Sequence, residues 1–301
     1  MAISRSQLLK ELLPGLNALF GLEYERYGEE HKEIYEIETS ERSFEEETKL
    51  AGFSPAPQKF EGQGIAYDNA QEAWTARYVH ATYALGFALT EEAIEDNLYD
   101  SLSARYTKSL ARAMAYTKQV QAAGILNNAF TTGYTGGDGA VLCSTAHPLI
   151  NGATNSNTSS ANLDLNETAL EAAVIQVAAW KDEKGMLIAA KPRKLIIPPN
   201  LMFVAERLFK TELRVGTTDN DISAIKSMGI MPEGFVVNHF LTSALAWYFL
   251  TDVPNGLKMF ERVKMQTSMD GDFETGNVRY KARERYSFGW SDPLGIYGSQ
   301  G

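Results

Sequence analysis

The most regular hydrophobic pattern in the chain is an alternation of mostly apolar and mostly cationic residues between Asn277 and Trp290. Alternation with a period of two is typical of a β-strand that has one buried and one exposed face. The inward set is Val278, Tyr280, Ala282, Glu284, Tyr286 and Phe288, and the outward set is Arg279, Lys281, Arg283, Arg285 and Ser287. The sequence therefore predicts a strand that packs one face on the body of the protein and presents four cations on the other.

A helical period predicts one long helix in the middle of the chain. Apolar residues recur four positions apart from Leu98 to Met114, and basic residues collect in the later turns. We expect a helix over residues 98–127, about 45 Å long, with a start signal at Thr90–Glu92 and a break near Asp96. That length is close to the diameter of a compact chain of this size, roughly 50 Å, so the helix should form a spine.

Shorter patterns predict the elements around the spine. An amphipathic helix is expected at the N-terminus, bent or restarted at Pro14. An aromatic-rich pattern from Ala73 to Leu89 predicts one arm of an extended hairpin, whose partner strand is loosely marked. Because isolated hairpins are marginally stable, this one should lie on another surface, such as a neighbouring molecule. Helices after Asn166 and Asn200, alternating with strands, indicate a compact α+β unit.

Charge is segregated along the chain, which has 301 residues and a formal net charge of −10. That balance argues against a globally basic nucleic-acid binder. Residues 23–47 hold eleven acidic and three basic residues, a formal charge of −8. Such a segment is either a solvated arm or an arm that docks on a basic patch of another subunit. The cationic strand is an available basic patch.

Candidate catalytic chemistry is sparse. Cys143 is the single cysteine, and His147 follows it within a turn-rich stretch that should hold a short hairpin around Val141 and a mobile polar loop over residues 151–162. A Cys/His nucleophile needs spatial adjacency and an orienting third group. The four histidines lack metal-ligand spacing, and no apolar run reaches membrane-spanning length. We predict no catalytic residue, no cofactor, no metal site and no membrane contact, with a Cys143/His147 hydrolase as the alternative.

Three stretches carry a family resemblance that extends over nearly the whole chain. They are GIAYDNAQEAWTARYVHATYALGFALTEEAIEDNLYD (Gly64–Asp100), GDGAVLCSTAHPL (Gly137–Leu149) and the stretch from Val253 to Gly298 that contains the alternating strand. They resemble the major capsid proteins of tailed bacteriophages (Caudoviricetes), whose fold is shared with encapsulin shells. The resemblance implies an α+β fold in four parts. These are an N-terminal arm (1–36), an extended β-hairpin loop (37–89), a peripheral domain with the spine helix (90–130 and 241–301) and an axial domain (131–240).

The resemblance also implies a function. The chain would be a structural, non-catalytic protein of the virion that self-assembles through pentamers and hexamers into an icosahedral shell. The shell would enclose double-stranded DNA without reading its sequence, and an acidic wall suits DNA that must slide. Assembly would take place in the bacterial host cytoplasm with a separate scaffolding protein, a portal protein and room for a decoration or cement protein. An encapsulin-like compartment of the same fold is the alternative.

Twelve residues are candidates for contacts between subunits. They are the cations Arg279, Lys281, Arg283 and Arg285, the hairpin-tip acids Asp270 and Asp272, the arm acids Glu45, Glu46 and Glu47, and the loop residues Trp74, Arg77 and Tyr78. We expect the cationic strand to meet acidic residues of the segment 23–47 in an adjacent subunit. The competing interpretation is a solvated outer strand. Two loop lysines, Lys49 and Lys59, carry no motif that would mark a covalent crosslink.

Overall fold

The computed structural model describes residues 5–90, 99–213, 222–272 and 276–301. Its helices are α1 (Arg5–Arg26), α2 (Tyr99–Asn127), α3 (Glu167–Ala178), α4 (Met202–Lys210) and α5 (Ala224–Met228). The spine helix predicted for residues 98–127 is confirmed as α2, whereas its predicted start beyond Thr90 and the break near Asp96 lie outside the described residues. The restart predicted at Pro14 is not observed, because α1 continues through this proline.

Two four-stranded sheets organise the chain, confirming the α+β class. The strands are β1 (Glu36–Thr39), β2 (Phe44–Ala51), β3 (Gln71–Val79), β4 (Ala81–Leu89), β5 (His147–Pro148), β6 (Thr154–Asn155), β7 (Pro192–Ile197), β8 (Phe235–Val237), β9 (Trp247–Thr251), β10 (Leu257–Gly271), β11 (Val278–Trp290) and β12 (Ile296–Ser299). The first sheet has the order β1-β10-β11-β4 and the second β12-β9-β7-β8, while β2-β3 and β5-β6 form separate pairs.

The first sheet packs one face, which we call the inner face, on both long helices. Tyr280 and Ala282 of β11 are buried there in a cluster with Leu110 and Met114 of α2 and Phe20 of α1. The alternation predicted for β11 is therefore confirmed on its buried side. Since β10 and β4 flank it, β11 is a central strand of its sheet. The opposite face, which carries the cations, we call the outer face.

The long strand predicted from Ala73 to Leu89 is in fact two strands, so the predicted hairpin arm is too long. The break falls at His80, whose imidazole Nε2 lies 2.9 Å from Ser40 Oγ and whose Nδ1 lies 3.0 Å from Ser287 Oγ. Before the break β3 pairs with β2, and after it β4 pairs with β11. Both halves are good β-formers, so local propensity hides a break that the pairing partners impose.

The second sheet and α3 enclose the other large core. Buried side chains from α3, β7 and β9 meet there, including Leu170, Leu195 and Trp247. The Asn166 side chain caps α3 as predicted, accepting a hydrogen bond from Ala169 N at 2.8 Å, which satisfies one free amide of the first turn. The helix ends at Ala178.

The turn-rich stretch differs from its prediction in two ways. The short hairpin is formed by β5 and β6, while Val141 makes only an isolated bridge with Thr135. The polar loop over residues 151–162 is anchored by Asn157, which is fully buried. Its Nδ2 donates to three backbone carbonyls, those of Leu142, Pro293 and Ile296, at 2.7–3.2 Å. The amide thus fastens this loop to the last strand of the chain.

Candidate subunit-interaction surface

The outer face of the first sheet presents a column of cations along β11. Arg279, Lys281 and Arg283 are exposed and Arg285 is half-buried. Arg279 forms an ion pair with Asp272, in which Nη2 lies 2.5 Å from Oδ2. Within the described part of the chain, no carboxylate forms an ion pair with the other three. The neighbouring Asp270 is exposed, and its Oδ1 accepts a hydrogen bond from the next amide at 2.9 Å.

A fourth arginine, Arg262 of β10, lies next to this column where β10 is irregular. The pairing of β10 with β11 shifts register between Glu261 and Val263, so that Arg262 has no partner in the ladder and precedes Val263, the residue paired with Arg285. The Nε atoms of both arginines are buried and have no hydrogen-bond partner among the described residues. Burial, and then the charge of Arg285, lowers the pKa of His80 nearby. A buried donor without an acceptor is costly, and the two arginines together add positive charge to this part of the sheet.

Most acids of the segment 23–47 are already engaged by the same chain. Lys258 Nζ lies 2.7 Å from Glu38 Oε1 and 2.6 Å from Glu47 Oε1. Burial opposes the charge on Lys258, but the two carboxylates outweigh it and raise its pKa. Four further pairs join the segment to residues outside it: Glu23–Arg112, Glu33–Lys194, Glu46–Arg77 and Glu30–His239. Glu29 pairs with Lys32 within the segment. Glu45 Oε1 accepts from Ser40 Oγ at 2.7 Å.

The acidic segment therefore offers fewer free carboxylates than its composition indicates. Among the described residues, the acids of this segment without an ion pair or a side-chain hydrogen bond are Glu25, Glu36 and Glu41. The pairs join residues far apart in sequence, such as Glu38 and Lys258. Charge counting along the sequence could not reveal them.

The base of the hairpin, formed by β2 and β3, lies on its own subunit. Tyr78 is buried, its ring 4.7 Å from that of Phe260, and its hydroxyl is 2.5 Å from Ser291 Oγ. Trp74 Nε1 donates to the carbonyl of Ser291 at 3.3 Å. The surface on which the base of the hairpin lies is therefore part of its own subunit, whereas a neighbouring molecule was the example given for the expected support. Tyr78 offers little surface to another subunit, while Arg77 remains exposed over the ring of Phe44.

Lys49 fastens the same hairpin to the body through charge. Its Nζ lies 2.7 Å from Asp292 Oδ2 and 3.4 Å from Glu183 Oε1, and it sits over the Trp74 ring at 4.6 Å from the ring centre. Because the Lys49 side chain is mostly enclosed by these groups, it holds the hairpin in place within one subunit.

The tip of the hairpin, residues 52–70, has a different character. Its large apolar side chains point into solvent: Phe53 is 62% exposed, Ile65 70% and Tyr67 94%. Asp68 closes the loop by accepting hydrogen bonds from the amides of Ser54 and Asn69 at 2.6 and 2.8 Å. Clustered exposed aromatics of this kind mark contact sites for other molecules.

Cys143 and His147 do not form a nucleophilic pair. The thiol is buried, and burial raises its pKa, which opposes formation of the reactive thiolate. Both ring nitrogens of His147 are engaged elsewhere, Nδ1 with Asp138 Oδ2 at 2.6 Å and Nε2 with Asn157 Oδ1 at 3.0 Å. The histidine has an orienting carboxylate but no nucleophile, so the hydrolase alternative finds no support in this geometry.

Beneath the inner face of the first sheet lies an ion pair that the sequence analysis did not predict. Lys118 of α2 and Glu284 of β11 are both buried, and Lys118 Nζ lies 3.4 Å from Glu284 Oε2 and 3.6 Å from Glu261 Oε1. Tyr24 of α1 donates to the same Glu284 oxygen at 3.3 Å. Burial raises the pKa of Glu284 despite these partners. The pair thus joins both helices to the sheet.

The described residues hold neither a cluster of metal ligands nor a membrane-spanning helix. No group of three or more His, Cys, Asp or Glu side chains there could hold a metal ion. None of the helices described is both long enough and apolar enough to cross a membrane.

The chain is similar to known proteins in sequence and in fold. The model of a family described as "phage capsid protein" matches residues 73–299. The virus-like particle of Pyrococcus furiosus is similar with a TM-score of 0.56 and 12% identity, over 96% of this chain and 99% of that one. The capsid of cyanophage P-SCSP1u is similar with a TM-score of 0.55 and 11% identity, over 88% of this chain and 85% of that one. The capsid of Myoviridae phage XM1 is similar with a TM-score of 0.51 and 11% identity, over 87% of this chain and 88% of that one. No curated protein matches the sequence.

Proposed function

The chain belongs to the phage capsid protein family, and from this premise we propose how its surfaces serve the assembly of a shell. It is a major capsid protein with the fold of tailed-phage heads, a structural component of the virion. Shell assembly from copies of the same chain needs surfaces that a single subunit leaves unsatisfied. The exposed apolar tip of the hairpin is the observation that carries the proposal.

We place the tip against a neighbouring subunit. Its base is fixed to the body through Tyr78, Trp74 and Lys49, so the tip is held out from a rigid support. Burying the side chains of Phe53, Ile65 and Tyr67 would contribute about 1.5–3 kcal/mol for each one fully covered. Repeated in every subunit, such a contact is strong enough to drive association.

The experiment replaces the apolar tip without touching its base. Phe53→Ser with Tyr67→Ser should leave the subunit folded, because both side chains are exposed, and should abolish particles seen by electron microscopy and size-exclusion chromatography. Lys59→Ser at the same tip is the matched control and should assemble normally. Normal particles from the double variant would contradict a role of the tip in assembly.

The four-cation column is proposed to meet carboxylates of an adjacent subunit. Arg285 belongs to this site, and Arg262 adds a further cation where the pairing of β10 with β11 shifts register. In the segment 23–47, the carboxylates that remain free for such a contact are those of Glu25, Glu36 and Glu41. Arg285→Glu should impair assembly, and Glu41→Lys should restore part of it in a double-mutant cycle. Arg285→Lys, which keeps the charge, is the control. Full assembly by Arg285→Glu would favour a merely solvated strand.

The finer features of the head follow the same proposal. Pentamers and hexamers would form the shell in the bacterial host cytoplasm, with separate scaffolding and portal proteins, room for a decoration protein, and double-stranded DNA inside. The charge of −10 suits DNA that is contained and not read. Free subunits should therefore bind duplex DNA weakly at physiological salt in a gel-shift assay, and tight binding would contradict containment without readout.

A second candidate is a compartment that encloses protein. It is favoured by the likeness to the Pyrococcus furiosus virus-like particle, which this chain matches over nearly its full length. Purified particles distinguish the two candidates. Nuclease-protected DNA supports the phage head, whereas a co-purifying protein cargo without nucleic acid supports the compartment.

A further inference from the structure

A short turn between α3 and β7 is fixed by its own hydrogen bonds. The amide of Gly185 donates to the carbonyl of Asp182 at 3.0 Å, and the amide of Asp182 donates to the carbonyl of Met186 at 2.7 Å. The Asp182 carboxylate accepts from the amides of Lys184 and Met186 at 3.0 and 2.8 Å. Gly185 has a φ of +88°, a left-handed conformation that favours glycine. The backbone of Glu183 and Lys184, at the corner of the turn, is therefore held in place.

This turn contacts both arms of the hairpin with charges of opposite sign. Glu183 is buried, and its Oε1 lies 3.4 Å from Nζ of Lys49 on β2. Its Oε2 accepts from the amide of Ile150 at 3.0 Å, which fixes the carboxylate. Lys184 Nζ lies 4.0 Å from Oδ1 of Asp68, on the part of the hairpin that leads into β3. Each charged residue of the turn thus meets the opposite charge on a different arm.

The second contact reaches the tip of the hairpin and not only its base. Asp68 belongs to the tip, residues 52–70, and closes it by accepting hydrogen bonds from the amides of Ser54 and Asn69. These hydrogen bonds lower the pKa of Asp68, and the charge of Lys184 lowers it further. The carboxylate that closes the tip is thus ionised at neutral pH and can pair with the lysine of the turn.

From these contacts we propose that Glu183 and Lys184 are positioning residues, which set the direction of the hairpin before subunits meet. We call these two residues, together with Lys49 and Asp68, the clasp. The clasp leaves the large apolar side chains of the tip exposed, so it presents the tip and does not mask it. A loop that is already held in place loses less freedom on association. The clasp should therefore lower the subunit concentration needed for assembly, a consequence that rests on the proposed function of the tip.

The first test uses the free full-length subunit and does not depend on assembly. Spin labels on cysteines at Lys59 in the tip and at Lys191 before β7 report the distance between tip and body. Lys184→Glu places a like charge beside Asp68, so the fraction of subunits with a displaced tip should rise about fivefold. Lys181→Glu makes the same charge change at an exposed lysine just before the turn, with no ion pair among the described residues, and should leave the distances unchanged. Lys184→Arg keeps the charge and should also behave as the wild type.

A second variant tests the other arm. Glu183→Gln keeps an acceptor for the amide of Ile150 and removes the charge that faces Lys49. Hydrogen exchange at β2 should become up to about fivefold faster, because only Asp292 then pairs with Lys49. Exchange at β7 should stay the same. Unchanged exchange at β2 would overturn the role of Glu183, and equally faster exchange at β7 would show that Glu183 stabilises the body and does not position the hairpin.

The last test measures the consequence for assembly. Lys184→Glu should raise the subunit concentration at which particles appear about fivefold, while Lys181→Glu should not. The tip variant Phe53→Ser with Tyr67→Ser leaves the clasp intact, so its label distances should match those of the wild type. Normal particles from that variant would contradict the proposed function of the tip and leave the clasp standing. The clasp itself is overturned if Lys184→Glu leaves the label distances unchanged. Its role in presenting the tip is overturned if the tip is displaced and particles still appear at the wild-type concentration or below it.

Discussion

Glu284 and Arg285 are neighbours on β11, yet they lie on opposite faces and have opposite surroundings. Glu284 points inward, where Lys118 and Tyr24 surround it. Arg285 points outward, and its buried Nε has no acceptor among the described residues. A charge in the core must be paired within the fold, because an uncompensated buried charge is too costly. A charge on a surface that another molecule covers can stay unpaired in the free subunit and form its ion pair when that molecule binds. The comparison separates charges that hold the subunit together from charges available for assembly.

The largest expected effect comes from breaking the inner pair. Lys118→Ala would leave Glu284 buried without its cation, which should lower the free energy of unfolding by about 3–5 kcal/mol. Chemical denaturation of the free subunit measures this loss. Lys118→Met combined with Glu284→Leu removes both charges and should recover most of the stability. If the double variant is as unstable as Lys118→Ala, packing and not charge accounts for the loss.

This pair also shows how far the sequence could have led. Lys118 continues the four-residue spacing of Tyr106, Leu110 and Met114, and Glu284 stands in the inward set of the alternating strand. A cation one step beyond the apolar spacing of the helix and an acid in the inward set of the strand could have been matched. The four-residue spacing did not predict burial correctly for Tyr106, which is 48% exposed. The buried face of α2 also follows three-residue steps, such as the step from Thr107 to Leu110.

Other features could not be predicted from local pattern. The break at His80 separates two stretches that both favour strands, and only their different partners reveal it. Likewise, Lys258 neutralises two acids more than 200 residues earlier in the chain. Such contacts depend on the assembled topology. The alternation of β11 was readable because each residue's face follows from its position alone.

A second effect on the inner side depends on pH. Burial, and then the charge of Lys118, lowers the pKa of His31 to about 4, while an unfolded chain titrates its histidines near 6.5. The unfolded state therefore takes up the proton first. Stability from neutral His31 is complete above about pH 6.5 and is lost as the pH falls to about 4, a change on the order of 3 kcal/mol.

The measurement compares the free energy of unfolding between pH 7 and pH 4 in the wild type and in His31→Asn. The variant should show a shallower loss, since carboxylates still titrate but His31 does not. His239→Asn is the matched control, because His239 is 64% exposed in its side chain, and it should keep the steep loss. An unchanged slope in His31→Asn would mean that His31 is not held neutral by its surroundings.

The base of the hairpin should respond more weakly. Tyr78→Phe removes the hydroxyl that meets Ser291 while keeping the ring on Phe260, and this should cost about 1 kcal/mol. Hydrogen exchange at β2 and β3 should become faster in the free subunit, while exchange at the tip stays the same. Tyr67→Phe, at a fully exposed position, is the control. Faster exchange at the tip alone would place the anchoring contact elsewhere.

The smallest effect on the free subunit is expected from the outer face. Arg283 is exposed and pairs across the ladder with Ala84, and no carboxylate among the described residues holds it. Arg283→Glu should therefore change the free energy of unfolding by less than about 0.5 kcal/mol. Relief of repulsion from Lys281 and Arg285 could even make the change favourable. Denaturation at low and at high salt separates the electrostatic part of this change from the rest, because salt screens the repulsion between surface charges. Arg283→Gln, which removes the charge without reversing it, gives the intermediate point. A loss above 2 kcal/mol would mean that Arg283 holds the subunit together, and the contrast between the two faces of β11 would then fail.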